Sequence, residues 1–115
     1  MIAKLLIVAV AAIHVYLAYV ENFEWTTRGR AFLSQMAPET FEPSQVLAKN
    51  VGLYNLFLAA GLAWAMIAAE THLAYFFLGF IAIAGIFTAV TPDIKLALIQ
   101  TVPASLAIGA LLLRL

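Results

Sequence analysis

An all-α, integral membrane four-helix bundle, threaded up-down-up-down with antiparallel neighbours, is the fold class this chain predicts. Three observations lead there. Hydrophobic residues make up 65% of its 115 residues and charged ones only 10%, whereas about a quarter of a soluble domain is charged. Four apolar stretches, at about 2–23, 45–69, 72–91 and 94–113, fill nearly the whole chain, and each is close to the ~20 residues that cross a bilayer. The connections after the second and third stretches are a few residues long, which forces neighbours to run antiparallel. One transmembrane domain, 1–115, accounts for everything, with a single long connection at about 26–44.

Composition excludes several classes of function. Six lysines and arginines balance six aspartates and glutamates, so there is no basic face for nucleic acid, and the expected partner is the lipid bilayer. Cysteine is absent, which removes disulfides, thiolate nucleophiles and cysteine metal sites. Lys4 followed by Leu5–Ala12 has the outline of a signal peptide, but the apolar run continues through Ile13, Val15, Leu17 and Val20 with no small-residue cleavage site after it. The segment is therefore expected to persist as the first helix.

That helix ends around Glu21–Trp25, with Phe23 and Trp25 suited to the membrane–water boundary. The long connection carries Arg28, Gly29, Arg30, Pro38, Glu39, Glu42 and Pro43. Its half-apolar stretch Ala31–Met36 could lie along the interface as a short helix. Pro43-Ser44 reads as the start of the second helix, with Ser44 as its N-cap. In Thr91-Pro92-Asp93, before the fourth helix, threonine can cap, proline suits the first helical position and aspartate suits the positive end of the helix dipole. Small residues four apart (Gly61/Ala65, Gly85/Ala89 and Ser105/Gly109) would allow close helix approach. Four cations (Arg28, Arg30, Lys49, Lys95) fall on the side of the long connection and two (Lys4, Arg114) on the other. That bias favours a cytoplasmic connection with both termini outside.

Depth sorts the polar residues. His14 and Glu21 lie in the second half of the first helix. Asn50, Tyr54 and Asn55 lie in the first half of the second, Thr88 and Thr91 close the third, and Gln100 is near the start of the fourth. Antiparallel threading puts all of these half-helices at the end that holds the long connection, and leaves the opposite end almost purely apolar. His14, Ala18, Glu21 and Trp25 form one helical stripe, and Leu96, Gln100, Pro103 and Ala107 another. On the second helix the expected inward stripe is Asn50, Tyr54, Phe57, Gly61 and Trp64. Asn55 stands about 140° from Asn50, so the two cannot face one neighbour. Tyr16 and Tyr19 turn away from the His14 stripe toward lipid or the interface, and Glu70 and His72 sit at a solvated turn.

Each polar residue also has a purely structural use. Glu21 can pair with Arg28 or Arg30 at the interface, His14 can bond across helices, and Asn50, Asn55 and Gln100 can hold helices together. The candidate catalytic residues are His14 and Glu21, as acid and base. The candidate ligand-binding set is Glu21, Trp25, Arg28, Arg30, Asn50, Tyr54, Asn55 and Gln100, with the two arginines placed to grip an anionic group at the mouth. No metal or cofactor is expected. His14 and Glu21 lie about 10 Å apart along one helix, too far to share an ion that needs about four ligands, and the chain has no phosphate loop, serine elbow or second well-placed haem ligand.

The strings Glu21–Phe32 (ENFEWTTRGRAF) and Asn50–Trp64 (NVGLYNLFLAAGLAW), followed by Gln100 and Pro103, resemble a family of small bacterial membrane proteins known as domain of unknown function 1304. The resemblance spans nearly the whole chain. It implies four transmembrane helices and a bacterial membrane, expected to be the cytoplasmic one, and implies no activity. Glu21, Trp25, Arg28, Gly29, Arg30, Asn50, Gly52, Tyr54, Asn55 and Gln100 carry the pattern, while Asn22, Val51 and Leu56 depart from the methionine, glutamine and glycine it leads one to expect. The leading functional expectation is a polar pocket at one end of the bundle that binds or moves a small amphipathic or lipid-like molecule. An enzyme acting on a lipid-like substrate, a proton-coupled exporter and an accessory subunit with purely structural polar contacts are the alternatives. Homo-oligomerisation is open in all of them.

Overall fold

Long runs of leucine, isoleucine, alanine and phenylalanine satisfy their backbone internally only as helices, which are the economical way for one chain segment to cross hydrocarbon. The computed structural model, which describes residues 1–90 and 94–115, contains α1 (Ile2–Phe23), α2 (Arg28–Phe32), a 3-10 turn (Pro38–Thr40), α3 (Gln45–Ile67), α4 (Thr71–Thr88) and α5 (Ile94–Leu112). The expected Thr91-Pro92-Asp93 turn lies outside the described residues. Four of the helices are long and apolar enough to cross a membrane. The molecule is 46 Å along its longest axis, close to the ~40–45 Å of a bilayer with its headgroups.

The long helices form a closed ring in the order α1, α3, α4, α5, with α1 packed most extensively on α3 and α4 on α5. Neighbours are antiparallel, so the chain ends meet: the Ile2 amide donates to the Leu115 carbonyl at 3.0 Å. The apolar core extends toward the end that holds the α3–α4 turn and the chain ends. Ile7, Val10, Leu62, Ala65, Ala74, Leu78, Ile81, Ala104 and Ala107 form that core as one continuous cluster.

Two glycines set the close helix pairs. A Cβ at Gly52 would run into Asn22 Nδ2 and stand 3.2 Å from the Ala18 carbonyl oxygen, so α3 lies directly on α1 there. At Gly85 a Cβ would collide with Thr101 Oγ1 and sit 3.0 Å from the Thr101 amide nitrogen and 3.1 Å from the Ala97 carbonyl oxygen, which brings α4 onto α5. Gly61 is covered by the Phe77 ring. Of the small-residue pairs, Gly61 and Ala65 are both buried, Gly85 is buried beside an exposed Ala89, and Ser105/Gly109 faces outward, with open space above Gly109.

The rotation of α3 corrects the inward stripe expected from sequence. Its buried face is Ala48, Gly52, Asn55, Ala59, Leu62 and Ala65, with Gly61 beside it, while Asn50, Tyr54, Phe57 and Trp64 are exposed. The reason is steric. The face that meets α1 must be small for the two backbones to approach, so the bulky aromatic face turns outward. Tyr54 is 60% exposed and stacks edge-on against Phe57, its neighbour on the same outer face.

Candidate functional site

At the end opposite the chain termini the core gives way to a cavity of about 180 Å³. All the long helices line it: Leu17, Val20 and Glu21 from α1, Val51 and Asn55 from α3, Thr88 from α4, Leu96 and Gln100 from α5. The long connection supplies the rest of the wall through Trp25, Phe32 and Leu33. Val51 is 46% exposed, so one wall reaches the outer face of the bundle.

The polar groups enter from opposite sides. Asn55, only 6% exposed, donates from Nδ2 to Glu21 Oε1 at 2.5 Å, tying α3 to α1 across the cavity wall. Gly52 makes this geometry possible, because the close α1–α3 approach beside it brings an amide and a carboxylate within one hydrogen bond. On the far side, Gln100 Oε1 is buried and has no hydrogen-bond partner among the described residues. Thr88 hydroxyl donates to the Ala84 carbonyl at 3.0 Å.

The connection is held over this end by packing and directional bonds together. Trp25 turns inward instead of floating at the interface. Its ring lies against Phe41, centroids 5.2 Å apart, and its Nε1 donates to Ser44 Oγ at 2.9 Å. Phe41 is 1% exposed, and Gly29 leaves room for the indole, since a Cβ there would stand 2.9 Å from Trp25 Cε3. Ser44 precedes α3 as its N-cap by position, yet its hydroxyl bonds no amide of that helix. The hydroxyl donates back to the Thr40 carbonyl at 2.7 Å and accepts from Trp25, so it serves the connection.

The two arginines do not face the cavity. Arg28 Nε pairs with Glu24 Oε2 at 2.9 Å, and its Nη1 donates to the Tyr16 hydroxyl at 3.2 Å. That hydroxyl contact first, and the Glu24 charge second, hold the Arg28 guanidinium above its ordinary pKa. Arg30 lies over the Phe41 ring, 5.7 Å from its centroid, a cation–π placement. Glu21 therefore bonds Asn55 and neither arginine.

Of the residues expected to bind a ligand, the structure brings together Glu21, Trp25, Asn55 and Gln100. It leaves Arg28, Arg30, Asn50 and Tyr54 outside the cavity wall. His14 is 1% exposed and is not part of that wall. Its Nδ1 lies 2.8 Å from the Val10 carbonyl, and its buried Nε2 has no partner among the described residues. His14 and Glu21 are thus not assembled as an acid–base pair around one space. Among the described residues no cluster of three metal-ligating side chains occurs.

Sequence reasoning missed the apolar lining and the Glu24–Arg28 pair. The pair was legible as an i,i+4 spacing of opposite charges. Leu17 and Val20 share the helical face of Glu21. Phe32 and Leu33 carry no periodic signal, because a short helix and an irregular segment place them.

No curated protein and no solved structure matches the chain significantly. A family profile described as "Protein of unknown function (DUF1304)" does match it, over residues 8–112. With nearly every residue of the bundle and its connection inside that match, the chain belongs to this family.

Proposed function

We propose that this membrane protein binds, and in its working cycle moves, a small amphipathic or lipid-like molecule through the cavity at the connection end. The single observation that supports this most is the composition of the wall. A carboxylate, a buried amide and an unpartnered amide oxygen sit among Leu17, Val20, Val51, Phe32, Leu33 and Leu96, the mixture expected of a site that takes a polar head and an apolar tail. The competing structural reading accounts for the Glu21–Asn55 bond but leaves Gln100 Oε1 without a purpose. In this proposal the protein sits in a bacterial cytoplasmic membrane with the connection on the cytoplasmic side, as the excess of arginine and lysine at that end favours.

Native mass spectrometry of the purified protein tests the pocket without assuming a chemistry. A small molecule should co-purify with the natural chain and be lost from Leu96→Trp, which fills the cavity, while the melting temperature stays within a few degrees. A chain that carries nothing, or a Leu96→Trp variant that carries the same mass, would remove the basis for the proposal.

A further inference from the structure

The polar inventory of the cavity is one-sided in charge. Glu21 presents a carboxylate whose Oε1 accepts from Asn55, with no bond to its Oε2 among the described residues. Gln100 Oε1 is buried beside the cavity and no described residue bonds it; a buried unsatisfied acceptor costs about 1–3 kcal/mol until a donor reaches it, and rotation of the side-chain amide would turn this oxygen toward an occupant. Among the described residues of the wall none is cationic. The arginines that sequence places at the mouth are spent on Glu24, Tyr16 and Phe41. Trp25 and Phe32 line the wall as well and bring no charge to it. An occupant that matches all of this brings donors and positive charge. At 30 Å³ for each water-sized group the cavity has room for about six such groups, the size of a headgroup without its chain. The exposed Val51 at the wall leaves a chain free to run along the outside of the span.

We propose that the cavity selects a protonated amine carried on an apolar chain, with Glu21 as its counter-ion and the Gln100 amide oxygen, turned toward the occupant, as a second acceptor. This deepens the pocket reading and rests on it. The sequence alone suggests the reverse, an anionic group gripped by Arg28 and Arg30. The same ammonium chemistry is found on a free amphipathic amine and on an ethanolamine lipid headgroup.

Binding to the full chain in a neutral maltoside detergent tests it, with dodecylammonium, dodecanol and dodecyl sulfate as matched probes read by native mass spectrometry and tryptophan fluorescence. Dodecylammonium should bind at least about tenfold more tightly than either other probe. That preference should disappear in Glu21→Gln, which keeps an acceptor for Asn55, should weaken in Gln100→Leu, and should persist in Glu39→Gln on the exposed connection. Melting temperatures of all three variants show whether each has folded. If Glu21→Gln fails to fold, the Gln100→Leu and Glu39→Gln pair decides in its place. A parallel arm in nanodiscs that hold phosphatidylethanolamine and phosphatidylcholine separates the sources. Selective retention of the ethanolamine lipid assigns the headgroup, and retention of dodecylammonium alone assigns a free amine. Equal binding of the three probes, or a preference undiminished in Glu21→Gln or in Gln100→Leu, overturns the ammonium assignment and leaves the pocket standing. Failure of every probe and both lipids to bind overturns the pocket as well.

Discussion

Asn55 and Tyr54 are adjacent in the chain and opposite in consequence. The Asn55 amide meets a carboxylate of another helix, whereas the Tyr54 ring stands on the outer surface beside Phe57. Replacing Asn55 by leucine strips Glu21 of its partner inside the bundle, and an orphaned buried polar group costs about 1–3 kcal/mol. Replacing Tyr54 by leucine removes an exposed ring and should stay within about 0.5 kcal/mol. Thermal melts of Asn55→Leu and Tyr54→Leu in one detergent check both. If Tyr54→Leu were the more damaging, α3 would be rotated from the orientation described. From sequence, Asn50 and Tyr54 were as eligible as Asn55. Hydropathy cannot choose between Asn50 and Asn55, because the two break the apolar pattern equally, and Tyr54 fits either face. Only the packing of Gly52 against Ala18 and Asn22 selects which of them turns inward.

At the scale of elements, the spans follow from apolar length, while their ends depend on local stereochemistry. α3 closes with Glu70 N–H on the Ala65 carbonyl at 2.9 Å and Ala69 N–H on the Met66 carbonyl at 3.2 Å, the Schellman arrangement. α5 closes the same way, with Leu115 on Ala110 at 2.9 Å and Arg114 on Leu111 at 3.2 Å. Both motifs require a left-handed residue, and here these are Ala69 at φ 56° and Arg114 at φ 57° instead of glycine. A Cβ in that region costs about 1–2 kcal/mol, partly offset by the extra entropy glycine loses on folding. Ala69→Gly should therefore raise stability by about 0.5–1 kcal/mol, seen as a higher melting temperature with unchanged helix content by circular dichroism. A lower one would mean that the α3–α4 turn is not built this way. Neither cap was visible beforehand, since the usual marker of such a cap is the glycine that both lack. The short α2 was legible only as a half-apolar stretch. It lies at Arg28–Phe32, earlier than the Ala31–Met36 span suggested by composition.

At the scale of the whole molecule, antiparallel threading puts the cavity at one end and the continuous apolar core at the other. The chain has no cysteine, so single cysteines report its orientation without background. Ser34 on the connection and His72 at the α3–α4 turn are both exposed. With the connection cytoplasmic, a membrane-impermeant maleimide should label His72→Cys in intact cells and Ser34→Cys only in inside-out vesicles. The reversed pattern would invert the proposed orientation. Labelling of both from one side would contradict the threading.

Hydropathy over about 20 residues is a sum along one chain, so the sequence alone determined that there are four spans, that they alternate in direction, and that Glu21, Asn55 and Gln100 collect toward the same end. Which way each helix turns, and which charge finds which partner, are relations between residues far apart in the chain. Those only the tertiary structure decided. Gly52 and Gly85 bring backbones together and thereby set helix rotation. Glu24 and Phe41 draw the arginines away from the mouth. The folded connection turns Trp25 into a wall of the cavity. The cavity's lining, which has a carboxylate and no cation among the described residues, comes from those contacts, and no periodicity in the chain encodes it.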